Sequence, residues 1–317
     1  MGNRSKKINL YDKEKIKLVN PETLGFMKKY KVDMMLRGLS ENTIYQYETD
    51  LNQWFVYIYD NQANQSVADI NEDDITEFLY FCKTEGNNSD RMKRRMSSIS
   101  AFYKFLRKKK LVGENPMEFI DRPKKGVPII VQTFLTQEQV DELKIKLENY
   151  GDLQLQTYIL FGLSTMARVN AISHLRWEQI DFDERICSNV LEKENKIVDL
   201  FFSEEVKQLL LALNQYRKDN NINDFGWVFF SGHQDRNTPI NNGTLNGWCK
   251  KAGEFIGVPT LHNHDLRHTS SNLLKERGMN LEDIATLLHH ESTETTVKHY
   301  LTVNKKKIKE IKDAMDI

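Results

Sequence analysis

Six of the eight histidines in this 317-residue chain lie in one short stretch, at positions 262, 264, 268, 289, 290 and 299, and Arg267 and Tyr300 stand among them. His264 and His268 are spaced i, i+4, so on a helix they could share a metal ion with nitrogens from His289 or His290. Arg267 opposes that chemistry: a permanent guanidinium cation would repel the metal, and no cysteine or acidic cluster balances it. No metal site is therefore expected. An anion site fits better, because guanidinium and imidazole groups converge on phosphate through charge-assisted hydrogen bonds. A tyrosine beside such a site becomes a candidate nucleophile. Its phenol, with an ordinary pKa of about 10, attacks only if cations stabilise the phenolate and a base takes the proton.

The run His264-Asp265-Leu266-Arg267-His268, followed by Leu288-His289-His290 and then by Thr295-Thr296 and Tyr300, resembles the second motif box of the tyrosine recombinase (phage integrase) family. Upstream, Thr165-Met166-Ala167-Arg168 after the apolar run from Tyr158 resembles the first box, and Leu175-Arg176-Trp177-Glu178-Gln179-Ile180-Asp181 is similar to the stretch that follows it. Between the boxes the family carries a lysine on a β-hairpin; Asn189 to Leu200 reads as that hairpin, with Lys193 as the closest match and Lys196 as the alternative. The resemblance implies a division of labour. Arg168 and Arg267 would clamp a phosphodiester, His290 would donate a third hydrogen bond, His264 would act as general base towards Tyr300, and Lys193 would protonate the departing 5′ oxygen. The product would be a 3′ phosphotyrosyl link, with no cofactor required. His268 and His299 read as structural.

Five positions depart from the family pattern. Met166 and His289 stand where glycines are usual, and Ala171 stands where the first box carries an acid. The usual Gly-Lys-Gly turn is here Glu192-Lys193-Glu194. A missing carboxylate predicts a loosely held Arg168, and two carboxylates beside Lys193 predict repulsion of phosphate. These departures keep a second function in view: a repressor-like DNA-binding regulator that has the recombinase fold and no longer uses the chemistry. A type IB topoisomerase would use similar groups, but the matching N-terminal domain favours recombination.

The elements that must position these residues divide into two domains. Ser40 caps a helix in which Ile44, Tyr47, Leu51, Trp54, Phe55 and Ile58 recur at three- and four-residue steps, and Asn71-Glu72-Asp73-Asp74 opens another. Between Arg91 and Lys110 lie nine basic residues and no acid. There Met96, Ile99, Phe102, Tyr103 and Leu106 form a buried stripe. Arg91, Lys93, Arg94, Arg95, Lys104, Arg107 and Lys108 occupy other faces, an unbalanced basic surface suited to DNA phosphates, and Lys124 and Lys125 in the following linker extend it. Net charge over the chain is zero, but residues 1–130 carry 23 basic against 18 acidic side chains, leaving +5. The predicted architecture is mainly α with a small β-sheet. A 1–20 extension precedes an all-helical, core-binding, SAM-like domain over 21–121. A 122–133 linker leads to an α+β catalytic domain over 134–317, with helices from Thr136 and Leu153 and strands near Ile186 and from Lys196 to Phe202.

Beyond Tyr300, Ile308, Ile311 and Met315 sit at helical spacing in a lysine-rich tail. In the resembling family such a tail docks on a neighbouring protomer, so a homo-oligomer on double-stranded DNA is expected. No run of about 18 apolar residues and no signal peptide is visible, so no membrane is implied. Three scattered cysteines fit a reducing cytoplasm.

Overall fold

The computed structural model describes residues 5–6, 8–124, 134–192, 196–232, 235 and 237–289. The chain divides into two compact units, residues 1–131 and 132–317. The first is entirely helical: α1 (Lys15–Leu18), α2 (Pro21–Leu36), α3 (Glu41–Asn61), α4 (Glu72–Thr84) and α5 (Ser89–Lys108), with a 3-10 turn at Pro116–Phe119. Side-chain caps start the helices. Asn20 precedes a proline at the first position of α2, Ser40 accepts from Thr43 N at 3.2 Å, and Asn71 forms a reciprocal box with Asp74. Each cap contributes about 1 kcal/mol.

The apolar stripes then meet. Trp54 and Phe55 of α3 pack with Phe102 and Tyr103 of α5 and Tyr30 of α2, ring centroids 5.4–5.9 Å apart in the Tyr30–Phe102, Trp54–Tyr103 and Phe55–Phe102 pairs. Met96, Ile99, Phe102, Tyr103 and Leu106 are all buried, as the spacing requires. The charged residues of α5 behave less uniformly. Arg95 is 1 % exposed, its guanidinium donating to Asn87 Oδ1 and Gln53 Oε1 at 2.9 and 3.0 Å. That corrects its assignment to the phosphate-facing set: the helix turns position 95 inward beside Met96 and Ile99. Asp50, buried on α3, pairs with Arg91 and Arg94. The basic run therefore has an acid facing it, supplied by another helix. Lys104, Arg107, Lys108 and Lys124 are exposed and Lys93 is half-buried, while Arg107 pairs with Glu118. Lys125 lies outside the described residues.

The second unit is built around α7 (Leu153–Thr165), most of whose residues are buried. A helix that is apolar on nearly all sides must be enclosed, and α6 (Gln137–Tyr150), α9 (Glu204–Asp219), α10 (Asn242–Glu254) and α11 (Asn263–Glu276) surround it. Gly162 allows α11 to approach: a Cβ there would lie 2.9 Å from Leu266 Cδ1. The remaining helices are the short α8 (Val169–Ser173) and α12 (Leu281–Leu287). An antiparallel sheet runs in the order β1 (Ile180–Asp181), β2 (Ile186–Leu191), β3 (Ile197–Phe201). A bulge between Cys187 and Val190 resets the alternation, so both side chains face the core although three positions apart. The mainly helical architecture with a small sheet is thus the observed one. No helix of the described residues is long and apolar enough to cross a membrane.

Candidate active site

Arg168 is placed by the end of α7. The helix stops at Met166, which adopts a left-handed conformation with φ +53° and donates its N–H to Gly162 O at 3.1 Å. A glycine would take this φ without strain. Methionine takes it here while its side chain packs in a small cluster with Ile284 and Leu288. Two residues later Arg168 occupies the N-cap position of α8.

Arg267 lies on α11 and is 1 % exposed. Nη1 donates to Met166 O at 2.6 Å and Nη2 to Leu288 O. Both acceptors end helices, α7 and α12, where carbonyls lack intrahelical partners and carry partial negative charge. One guanidinium therefore joins two helix C-termini. Its neighbour His264 lies exposed in the first turn of α11, its ring edge-to-face with His268 at 4.4 Å between centroids. The start of α11 is fixed by Asp265, whose carboxylate accepts from His262 N at 3.0 Å and contacts the His262 ring. Burial pushes the Asp265 carboxyl pKa up against the lowering effect of that histidine.

The hairpin brings a group that sequence reasoning placed elsewhere. Glu192 immediately follows β2, its N–H donating to Lys196 O at 2.8 Å, and its side chain is fully buried. Its carboxylate contacts Arg168 Nη1, and its Oε1 lies 3.7 Å from His289 Nδ1. Burial pushes the Glu192 pKa up, but the polar contact of His289 and the charges of Arg168 and Arg267 outweigh it, leaving the carboxyl below its ordinary value. The expectation of a loosely held Arg168 is thereby corrected: the carboxylate absent at Ala171 arrives from 24 positions away on the hairpin. Nor is Glu192 spent on repelling phosphate, since its charge is already shared among cations. His289, with φ +50°, also adopts the left-handed backbone of the glycine it replaces. Its ring reaches Asp199 O at 3.1 Å, and its own carbonyl accepts from Lys196 Nζ at 3.2 Å.

The structure thus brings Arg168, Arg267, Glu192, His289 and Lys196 to one locus, with His264 on the helix that carries Arg267. Lys193, His290 and Tyr300 lie outside the described residues. Sequence reasoning missed the function of Glu192 because nothing in a local pattern pairs positions 168 and 192. The clustering of departures at Met166, Ala171, Glu192 and His289 was the available signal.

A mainly helical unit with a partly open arginine paired to a buried carboxylate, preceded in the chain by a small helical bundle with a basic helix, accords with a phosphate-handling, nucleic-acid-directed protein. The chain belongs to the phage integrase family: the profile described as "Phage integrase family" matches residues 133–307, and "Phage integrase, N-terminal SAM-like domain" matches residues 28–110. It is similar to tyrosine recombinase XerD of Oceanobacillus iheyensis, 28% identical over 282 residues, covering 87% of this chain and 92% of that protein. Tyrosine recombinase XerC of Herpetosiphon aurantiacus is 27% identical over 268 residues, covering 82% and 84%. Among solved structures, the Tn1549 transposon integrase in complex with transposon right end DNA shares the fold, with a TM-score of 0.65, 17% identity and coverage of 92% and 99%. A lambda integrase dimer bound to a core site matches with a TM-score of 0.63, 17% identity and coverage of 87% and 76%.

Proposed function

We propose that this chain is a site-specific DNA recombinase that cleaves and rejoins duplex DNA through a 3′ phosphotyrosyl intermediate. The observation that carries the reading is the pairing of Arg168 with the buried Glu192 carboxylate, which the charge of Arg267 also stabilises, while the side chain of Arg168 stays 33 % exposed. Arg168 offers positioned N–H donors where charge develops on the non-bridging oxygens of a phosphodiester, and Arg267, its Nη groups engaged by the Met166 and Leu288 carbonyls, adds fixed positive charge to the locus. In the proposed cycle Tyr300 Oη forms a bond to phosphorus, the bond to the 5′ oxygen breaks, His264 takes the phenolic proton and Lys193 supplies one to the leaving oxygen. His290 adds a third donor to the phosphate. Attack by another 5′ hydroxyl reverses the sequence and joins new strands without nucleotide or metal. The half-buried Lys196 is the second candidate for the acid, supported by its reach to the His289 carbonyl.

Lys93, Lys104, Arg107 and Lys108, together with Lys124 and Lys125, would contact the DNA backbone; Arg91 and Arg94 would contribute less, both being paired with Asp50. The tail over 304–317 would dock on a neighbouring protomer on DNA, and truncation at Val303 should then abolish assembly on DNA. A cytoplasmic location accords with this role. The regulator reading rested on departures that loosen the site. Met166, Glu192 and His289 instead make defined contacts there, which supports the enzyme. The test is a nicked suicide duplex carrying the target site, selected from genomic fragments, with a denaturing gel as readout. A covalent adduct in wild type that disappears in Tyr300→Phe is expected. Specific binding without adduct, unchanged by the substitution, would leave the regulator.

A further inference from the structure

Three of the five positions that depart from the family pattern meet at the arginines, and a further one, Glu194, lies outside the described residues. Met166 gives its carbonyl to Arg267 Nη1, Glu192 gives its carboxylate to Arg168 Nη1, and His289 Nδ1 stands 3.7 Å from Glu192 Oε1. The remaining one, Ala171, is fully buried in α8, the helix whose N-cap is Arg168, and offers no acceptor side chain. We propose that Glu192 is a positioning residue for strand cleavage, its carboxylate holding Arg168 in the orientation that meets the scissile phosphate and standing in for the acid that Ala171 does not supply. This inference rests on the recombinase reading above.

The physical argument starts from burial. A carboxylate removed wholly from water is stable only if it is paired, and a buried carboxylate left unpaired is strongly destabilising. Glu192 meets that condition through the Arg168 guanidinium on its Oε2, with the charge of Arg267 also acting on it and the polar His289 ring 3.7 Å from its Oε1. Its balance of neighbours holds the carboxyl ionised at neutral pH, below its ordinary value despite burial. It is also fixed in place, because its N–H closes the hairpin onto Lys196 O at 2.8 Å. Arg168 therefore has one edge of its guanidinium anchored while a third of the side chain stays open. A guanidinium carries five N–H donors in a planar fork, so an anchor at Nη1 sets the plane and leaves other donors for a phosphate. The hairpin that ends in Glu192 continues directly into Lys193. One residue thus ties the arginine to the segment bearing the proposed acid.

The test is single-turnover cleavage of the nicked duplex by wild type, Glu192→Gln, Arg168→Ala and the double variant, with DNA binding measured alongside. Glu192→Gln keeps the shape and removes the charge. It is expected to bind DNA as wild type does and to cleave about 100-fold more slowly, the size of effect that a small misplacement of a catalytic group produces. Two further readouts separate positioning from a structural role. In the Arg168→Ala background Glu192→Gln should add no more than about twofold, since residues acting through one another are not additive. On a duplex with a neutral methylphosphonate at the scissile position, where less charge must be met, the deficit should shrink. Equal deficits on both substrates, a multiplicative double variant, no deficit, or faster cleavage would each overturn the proposal. If Glu192→Gln fails to unfold cooperatively, Glu192→Asp, which withdraws the carboxylate by one methylene, carries the same comparisons. A wild type that forms no adduct removes the recombinase reading and this inference with it. A wild-type adduct with an unimpaired Glu192→Gln removes this inference alone.

Discussion

Arg95 and Arg267 are each 1 % exposed, one in the helical unit and one in the catalytic unit, yet their surroundings differ in kind. Arg95 donates to two neutral amide oxygens, its Nη1 has no hydrogen-bond partner among the described residues, and its guanidinium lies 5.7 Å from the Phe78 ring. Burial pushes its pKa down. Arg267 instead joins the carbonyl ends of two helices and lies within the electrostatic reach of Glu192, beside the partly open Arg168. The first arrangement fixes a bundle; the second concentrates positive charge at a place a ligand can approach. A buried arginine is therefore informative only through the company it keeps. Asp50 repeats the lesson, because it takes up charge from Arg91 and Arg94 that the basic run alone would leave unbalanced.

The comparison breaks first if removing Arg267 leaves cleavage intact. Arg267→Ala should lower the rate of adduct formation by about 10²–10³-fold, the loss seen when one preorganised group that stabilises transition-state charge is removed. It should also destabilise the catalytic unit by about 3–5 kcal/mol, because Glu192 and two helix-end carbonyls lose a partner. Single-turnover cleavage and denaturant unfolding measure the two effects. Arg95→Met is next. It should shift the unfolding of the helical unit by up to about 2–3 kcal/mol through the stranded amides, while cleavage per folded molecule stays unchanged. A cleavage defect there would dissolve the distinction between the two arginines.

Exposed cations should behave as neither. Lys104→Ala and Lys108→Ala should each weaken binding across all DNA sequences and reduce the slope of log affinity against log salt by about one. Arg95→Met should leave that slope alone. The smallest expected effect is the acid dependence of stability. The Glu192 carboxyl is held below its ordinary value of 4.5, so its contribution is present above that pH and is lost as pH falls through 4.5 towards the folded-state value. The difference in unfolding free energy between wild type and Glu192→Gln should narrow over that range. A difference independent of pH would deny the ion pair.

Much of this was legible along the chain. The stripe Met96, Ile99, Phe102, Tyr103 and Leu106, the caps at Ser40 and Asn71, and the enclosed helix from Leu153 follow from periodicity and short-range hydrogen bonding, and each appears as read. Arg168, Arg267 and His264 stood out by motif, and the first two both act on the Glu192 carboxylate, Arg168 by contact and Arg267 through its charge. The errors were in charge bookkeeping. Arg95 belonged to a basic run and proved internal, Asp50 balanced that run from another helix, and Glu192 looked like an intruder beside Lys193 but serves Arg168.

What the sequence determined by itself is whatever repeats at 3.6 or 2 residues, or sits within a turn of its partner: helices, strands, caps, the apolar faces and the family motifs. Only the tertiary structure decided which charges are spent on one another. Arg168 finds Glu192 across 24 positions and Arg267 finds the Met166 carbonyl across 101. Coulomb attraction and desolvation depend on distance through space and on exclusion of water. Both are set by how α7, α11, α12 and the hairpin pack, and no spacing along the chain encodes that.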